Sequence, residues 1–174
     1  MKKIFFVLFL ILFSNFGLAK STYKTLPPEN IKFKIEIEKL VSQQKYNEAL
    51  KFTEEYIKKQ KNKNDIEYAR AIIKKVQLQL GLHGYETAVK ELKASPLPID
   101  PMARALVELY YAFALMKYYQ SYSWEINKRE KVVSTEEIDL IKWTKDQINE
   151  EINNTFDKLW KYRVNISSFK TKDF

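Results

Sequence analysis

Aromatic and cationic side chains near the middle of the sequence are the residues best suited to binding chemistry. Tyr119, Tyr122 and Trp124 lie close together, and Lys128 and Arg129 follow soon after them. Such rings combine a large contact area with a hydroxyl or indole N–H that can form a hydrogen bond. We predict that these five residues contact a partner. The alternative is that the rings fill the core and that the charged run is an exposed interhelical segment with weak ion pairs.

Residues that carry out catalysis or hold metals are scarce. Cysteine is absent, which excludes disulfides, thiol nucleophiles, thiolate metal sites and a lipobox for lipid attachment. His83 is the only histidine and lies in a turn beside glycines, where a surface role is expected. The carboxylates of the last predicted helix, such as Asp146 and Glu150, fit its solvated face rather than a catalytic pair. The sequence therefore predicts no catalytic residues, no metal site and no cofactor.

Composition predicts one all-helical domain that does not bind nucleic acid. The chain has 174 residues, 45% of them hydrophobic, with only 3 glycines and 5 prolines to form the turns that a sheet requires. Its formal charge of +8 comes mainly from lysines in short solvated runs. Arginine, which recognises phosphates and bases through paired hydrogen bonds, is sparse. The basic charge is therefore assigned to a solvated surface.

Residues 1–19 have the pattern of a secretory signal peptide. Lysines at positions 2 and 3 precede an apolar run from Ile4 to Phe13, and small residues lead to a cleavage site after Ala19. The apolar run is interrupted at Ser14, so it is too short for an uncleaved anchor. We expect export to the periplasm or the medium, with a formal charge of +6 and no membrane span after cleavage.

Apolar spacing predicts a leader at residues 20–30, a helical domain at residues 31–165 and a tail at residues 166–174. The domain is expected to contain antiparallel helix hairpins packed on a central buried helix, followed by a long C-terminal helix. Helices are predicted to begin near Ile31, Tyr46, Ile66, Tyr85, Pro101 and Thr135. The last of them, to about Arg163, would start at a capping box formed by Ser134 and Glu137.

The central helix is predicted from residues 100 to 124. Asp100 is a good N-cap residue, and Pro101 suits the first helical position. The following residues are apolar on almost every side, which requires burial by neighbouring elements. Phe113 is expected in the core of this arrangement, with Tyr110 on the same face.

Two short segments resemble each other. Lys45 to Leu50 (KYNEAL) and Gly84 to Val89 (GYETAV) each follow a predicted turn with a tyrosine and then an alanine. This pattern, over residues 31–95, resembles the tetratricopeptide repeat, although the copies are separated by more than its ~34-residue period. The resemblance implies stacked helix hairpins that bind peptides or build scaffolds.

A second resemblance covers residues 100–163. Aromatic and charged residues at Tyr118 to Lys131, Asp139 to Thr144 and Trp160 to Arg163 are similar to the N-terminal helical region of large secreted bacterial proteins of the alpha-2-macroglobulin-like group. That group entraps or inhibits proteases. The bait region and the thioester of the group are absent, so the resemblance implies only the helical front end of such a protein.

These observations predict an exported, non-enzymatic module of the bacterial envelope that binds a protein or peptide. The resemblance implies that it forms the N-terminal part of a macroglobulin-like protease-trapping protein. The alternative is a small periplasmic protein that binds a ligand or an envelope glycan through a groove rich in tyrosine and tryptophan.

Overall fold

The computed structural model describes residues 28–60, 66–131 and 139–167. These residues form helices joined by turns, without any strand, so the predicted all-α fold is confirmed. The helices are α1 (Pro28–Ser42), α2 (Tyr46–Lys59), α3 (Ile66–Gly81), α4 (Tyr85–Ala94), α5 (Pro101–Ile126) and α6 (Lys145–Ile166). The predicted signal peptide and the capping serine Ser134 lie outside the described residues.

The chain divides into two compact units, residues 1–36 and 37–174. The described part of the first unit is the beginning of α1. This helix starts at Pro28, so residues 28–30 are helical and not part of a leader as predicted. Proline is well suited to the first helical position because its fixed φ matches that of a helix. The second unit contains the end of α1 and all of the remaining helices.

Helix α5 is the centre of the second unit. It packs against α3, α4 and α6, while α2 packs against α3. From Pro101 to Tyr119, every residue is at least partly buried. Val107, Leu115 and Tyr118 are almost completely inaccessible to solvent. The apolar character of α5 on almost every side is thus explained by neighbours on several sides.

The start of α5 has the predicted cap. The Asp100 carboxylate accepts a hydrogen bond from the backbone N–H of Ala103 at 2.7 Å, and Pro101 occupies the first turn. The cap satisfies a backbone donor that has no partner within the helix.

The two hairpin turns have the same backbone geometry. Gln44 and His83 each adopt a left-handed conformation, with φ of 59° and 63°. In each turn, the next residue donates its N–H to the carbonyl five positions earlier: Lys45 to Leu40 at 2.9 Å, and Gly84 to Gln79 at 2.8 Å. This is the Schellman arrangement that ends many helices. The left-handed position of the second turn is therefore taken by His83, although glycines lie on both sides of it.

The alanines of the two matching segments are fully buried. Ala49 and Ala88 each have 0% exposure, as expected where a small side chain lets two helices approach closely. The preceding tyrosines differ, because Tyr46 is 42% exposed whereas Tyr85 is partly buried against the hydrophobic core. The two segments are thus repeated in local geometry, whereas membership of the tetratricopeptide family stays a prediction.

The start of α6 differs from the prediction. The helix begins at Lys145 instead of Thr135, since residues 139–144 form a turn in which the N–H of Lys142 bonds to the carbonyl of Asp139 at 2.9 Å. Its capping box consists of Thr144 and Gln147. Both Ser134-x-x-Glu137 and Thr144-x-x-Gln147 fit the capping pattern, so the pattern alone does not locate the helix start.

Several apolar residues of the predicted helices are not in the core. Ile141 and Trp160, which both fall within the last predicted helix, are 60% and 67% exposed. Phe113 is only half-buried, and the Lys117 ammonium lies 5.5 Å from its ring centroid. The fully buried side of α5 instead carries Val107 and Leu115. None of the helices in the described ranges has the length and apolar content needed to cross a bilayer.

Leu115 should be a major determinant of stability. Leu115→Ala is expected to lower the free energy of unfolding by about 3 kcal/mol, because it leaves a cavity in the fully packed side of α5. The matched change Leu109→Ala, on the half-buried side of the same helix, should cost about 1 kcal/mol. Urea unfolding followed by circular dichroism measures both values. Equal losses would contradict the assignment of the core face.

Candidate functional site

The end of α5 is bent at Tyr122. This residue has φ of −117° and ψ of 18°, outside the helical range. The Ser123 hydroxyl lies 3.4 Å from the carbonyl oxygen of Gln120, and serine hydroxyls that approach the backbone in this way favour helix bends. Beyond the bend Ile126 is 1% exposed and Trp124 is 76% exposed. In the last turn of α5, the buried Ile126 side chain therefore packs in the core while the Trp124 side chain faces solvent.

A row of rings connects the α3–α4 turn to the end of α5. The ring of Tyr122 lies 5.2 Å from that of Tyr118 and meets the ring of Tyr85 edge-on at 6.1 Å. His83 in turn lies edge-on to Tyr85 at 5.9 Å, with its Nδ1 3.1 Å from the Tyr85 hydroxyl. Edge-to-face contacts of this kind are favourable. Part of the Tyr122 ring is thus in contact with other rings of the chain. His83 and Tyr85 belong to the same row of rings, although the sequence analysis did not predict them as site residues.

Trp124 and Lys128 form a cation–π pair on the surface. The Lys128 ammonium lies 3.3 Å from the centroid of the Trp124 ring. The neighbouring Tyr119 is half-buried, and its hydroxyl donates a hydrogen bond to the Asn127 side chain at 3.1 Å. A cation above an indole ring restricts the motion of both side chains. The Lys128 ammonium therefore restricts the orientation of the exposed indole.

Arg129 joins the end of α5 to the turn before α6, residues 139–144. Its guanidinium donates to the carbonyl oxygens of Leu140 at 2.7 Å and Trp143 at 3.1 Å, and to the Glu125 carboxylate at 2.5 Å. Only 12% of its side chain is exposed. Although burial alone would lower the pKa of Arg129, the hydrogen bonds from its guanidinium to Glu125 and Tyr118 raise it. Arg129 is therefore a permanent cation that joins the end of α5 to the turn before α6.

Tyr118 completes this junction from inside the core. Its hydroxyl donates to the Leu140 carbonyl oxygen at 2.9 Å, and Arg129 lies 3.4 Å from the same hydroxyl. Burial raises the pKa of Tyr118, and the hydrogen bond from Arg129 opposes that rise only in part. The Leu140 side chain is itself fully buried. Tyr118, Arg129 and the Leu140 carbonyl thus form a hydrogen-bonded network at the edge of the core, which we call the junction.

The five predicted partner-binding residues therefore have different surroundings. Trp124 and Lys128 are exposed, and Tyr122 is exposed at its edge. Tyr119 and Arg129 form hydrogen bonds within the chain. Binding by these residues stays a prediction, and its most accessible members are Tyr122, Trp124 and Lys128. Arg129 differs from the other four residues because it bonds to the Leu140 carbonyl. The spacing of residues around Arg129 does not predict that contact.

A small cleft lies between α2, α3 and α4. It encloses about 270 Å³ of empty space, part of it open to solvent, and is lined by Ile57, Ile72, Lys75, Val76, Gln79, Glu91, Leu92 and Ser95. The Lys75 ammonium pairs with Glu91 at 2.6 Å, and the Gln79 amide donates to the same carboxylate at 2.7 Å. The buried Oε1 of the Gln79 side chain has no hydrogen-bond partner among the described residues, and a water molecule suits such a site.

The charges in this cleft do not suit acid–base catalysis. Burial by itself would raise the pKa of Glu91, but hydrogen bonds from Lys75 and Gln79 lower it overall. A general acid at neutral pH needs the opposite shift. In the described part of the chain, no cluster of three or more histidine or carboxylate side chains could hold a metal ion.

Comparison with known protein families, with curated proteins and with solved structures finds no match to this chain.

Arg129 should contribute to stability, in contrast to its exposed neighbour. Arg129→Gln is expected to lower the free energy of unfolding by about 2 kcal/mol, because the carbonyls of Leu140 and Trp143 lose a charged donor. Lys128→Gln is the control and should change stability by no more than about 0.5 kcal/mol. Urea unfolding gives both values, and faster amide exchange in residues 139–144 of Arg129→Gln would locate the damage. Equal effects of the two changes would contradict the junction.

Tyr118 should make the fold sensitive to alkali. An unfolded tyrosine ionises near pH 10, whereas burial raises the pKa of Tyr118 in the folded chain. Above about pH 10 the unfolded state therefore binds fewer protons than the folded state, and stability falls as the pH rises. Tyr118→Phe should be less stable at neutral pH but lose stability less steeply from pH 9 to 11. Tyr46→Phe, which removes an exposed hydroxyl, is the control, and identical slopes for all three chains would refute the assignment.

Proposed function

We propose that this chain is an exported, non-enzymatic helical module that binds a protein or peptide partner through the exposed end of α5. The observation that carries the proposal is Trp124, which is 76% exposed beneath the Lys128 ammonium at 3.3 Å. A large exposed indole is uncommon on a surface that binds nothing, and tryptophan is enriched among residues that dominate interface energies. We call Tyr122, Trp124 and Lys128 the α5-end surface.

The rigid attachment of the α5-end surface supports this proposal. Arg129 and Tyr118 both donate hydrogen bonds to the Leu140 carbonyl in the turn before α6, and Ile126 is buried just beyond Trp124. Side chains that are ordered in advance lose less entropy when a partner binds. The surface therefore has the two properties of a binding hot spot, an exposed aromatic anchor and a support that does not have to be rearranged.

A protein partner is favoured over an enclosed small ligand. The cleft between α2, α3 and α4 contains no residue of the α5-end surface. A small ligand at Trp124 would thus remain largely in water, whereas most ligand sites bury the greater part of their ligand. The second candidate function is binding to an envelope glycan, which the exposed face of the Trp124 indole supports, since sugars bind by stacking on aromatic rings.

The two sequence resemblances extend the proposal. Residues 1–19 support export to the periplasm or the medium. The likeness of residues 100–163 to the N-terminal helical region of macroglobulin-like proteins supports a chain that forms the N-terminal part of such a protease-trapping protein. The repeated hairpin geometry, with left-handed residues at Gln44 and His83, supports a scaffold built from helix pairs. In this proposal the hairpins hold α5 in place and the end of α5 recognises the partner.

A photo-crosslinking amino acid at position 124 tests the proposal in cells that export the protein. The expected result is one recurrent protein or peptide adduct at position 124, identified by mass spectrometry. The same probe at position 46, where Tyr46 is 42% exposed in a hairpin turn, is the matched control and should not give that adduct. Trp124→Ala should melt like the unmodified chain, because its side chain is outside the core, and should no longer compete for the partner.

Three outcomes have different meanings. A protease or a macroglobulin-like protein in the adduct would support the protease-trapping role. An adduct that consists only of glycan would favour the second candidate function. No adduct at position 124, or the same adduct at position 46, would refute binding through the α5-end surface.

A further inference from the structure

A contact between a lysine and an aromatic ring occurs twice along α5 and the turn that follows it. The Lys117 ammonium lies 5.5 Å from the Phe113 ring centroid, and the Lys128 ammonium lies 3.3 Å from the Trp124 ring centroid. In each pair the lysine follows the ring by four residues, so the two side chains are neighbours on the helix surface. The second pair follows the first by eleven residues, which corresponds to about 16 Å of helix.

The two pairs lie on the same side of α5. Eleven residues turn a helix three times with about 20° to spare, so Trp124 returns almost into line with Phe113. The bend at Tyr122 does not separate the pairs, because the hydrogen bond from the Tyr119 hydroxyl to the Asn127 side chain spans it at 3.1 Å. We call this side the α5 stripe, and its residues are Phe113, Lys117, Gln120, Trp124 and Lys128.

The α5 stripe contains two lysines and no acidic residue. The sequence of α5 has only two carboxylates, Glu108 and Glu125. Helix geometry places Glu108 about 140° from Phe113 and Glu125 about 100° from Trp124. Glu108 is also buried, and Glu125 accepts a hydrogen bond from Arg129 at 2.5 Å. No carboxylate of α5 therefore reduces the positive charge along the stripe.

The form of the stripe favours a helix as its occupant. Its two pairs are three turns apart, and two helices pack lengthwise with repeated contacts at such intervals. An extended peptide would need a sheet edge for its backbone hydrogen bonds, and the described residues form no strand. Single-stranded nucleic acid binds by stacking bases on aromatic faces, but a lysine ammonium occupies one face of each ring here.

We propose that the α5 stripe binds an acidic amphipathic helix of the partner. This proposal rests on the proposed function, because Trp124 belongs to both surfaces, and it adds the chemistry of the partner. Apolar side chains of the partner helix contact the rings of Phe113 and Trp124. Carboxylates beside those side chains pair with Lys117 and Lys128. The site thus extends from the α5-end surface back along α5 to Phe113.

Fluorescence anisotropy of the mature chain with two synthetic peptides tests the proposal. Each peptide has about twenty residues, enough to form a helix. The acidic peptide carries leucines along one side with glutamates beside them, and the control peptide carries glutamine in place of every glutamate. The control peptide should bind at least about tenfold more weakly. Salt at about 0.5 M should remove most of this difference, because the charges are then screened.

Matched variants locate the binding on the stripe. Lys117→Gln and Lys128→Gln should each weaken binding of the acidic peptide about threefold, and the two together about tenfold. Trp124→Ala should weaken it at least about tenfold, because the indole is the anchor. The control variant combines Lys158→Gln and Lys161→Gln, which remove the same charge from exposed positions of α6. Its affinity should change less than about twofold.

A charge reversal keeps the test decisive. Thermal melts show whether each variant is folded, and the variant with Lys117→Glu and Lys128→Glu should prefer a peptide whose glutamates are replaced by lysines. Equal binding of the acidic and glutamine peptides, or no binding of either, would overturn the proposal. So would lysine changes that act no more strongly than the control variant, or tighter binding of a single-stranded oligonucleotide. A protein captured at position 124 that binds regardless of Lys117 and Lys128 would leave the proposed function intact and overturn only the acidic helix.

Discussion

The burial of α5 is the constraint on which the rest of the second unit depends. A helix in which every residue from Pro101 to Tyr119 is at least partly buried is not stable in water by itself. Its neighbours α3, α4 and α6 remove this surface from solvent. Helices α3, α4 and α6 therefore surround one apolar helix, and α2 packs against α3.

At each end of the α5–α6 pair, a contact between the helices lies next to an exposed tryptophan. At one end the carbonyl of Leu140 accepts hydrogen bonds from Tyr118 and Arg129, and this junction closes the core. Trp124 lies just outside it. At the other end Arg104 stacks on Tyr162, and Trp160 lies outside that contact. Each of these two exposed tryptophans thus lies beside a cation, Lys128 at Trp124 and Arg163 at Trp160.

Local patterns predicted the helices well because they depend on neighbours in the sequence. Asp100 before Pro101, and the apolar composition of α5, were sufficient to place that helix at the centre. The start of α6 was predicted wrongly, because Ser134 and Thr144 both begin a capping pattern. The left-handed position of the second turn, taken by His83 between Gly81 and Gly84, shows that composition indicates a turn without specifying which residue carries its strain.

The surroundings of the candidate site could not be predicted in the same way. Arg129 looks like its neighbour Lys128 in the sequence, yet it reaches the Leu140 carbonyl, and only the folded chain brings these groups together. Trp160 has the spacing of a core residue, but 67% of it is exposed. Spacing identifies which residues share a face, whereas burial depends on what packs against that face. The proposed partner-binding role of Trp124 and Lys128 is therefore argued from their exposure and from the contact between them.

Amide hydrogen exchange of the mature chain is the most direct test of α5 as the central helix. If α5 forms the core, amides from Val107 to Leu115 exchange most slowly of all, and only through global unfolding, while those of α2 open through smaller fluctuations. The predicted result is an opening free energy in α5 equal to that of complete unfolding. Faster exchange in the middle of α5 than in α2 would contradict the central place of α5. It would also contradict the contacts with α5 on which the positions of both exposed tryptophans depend.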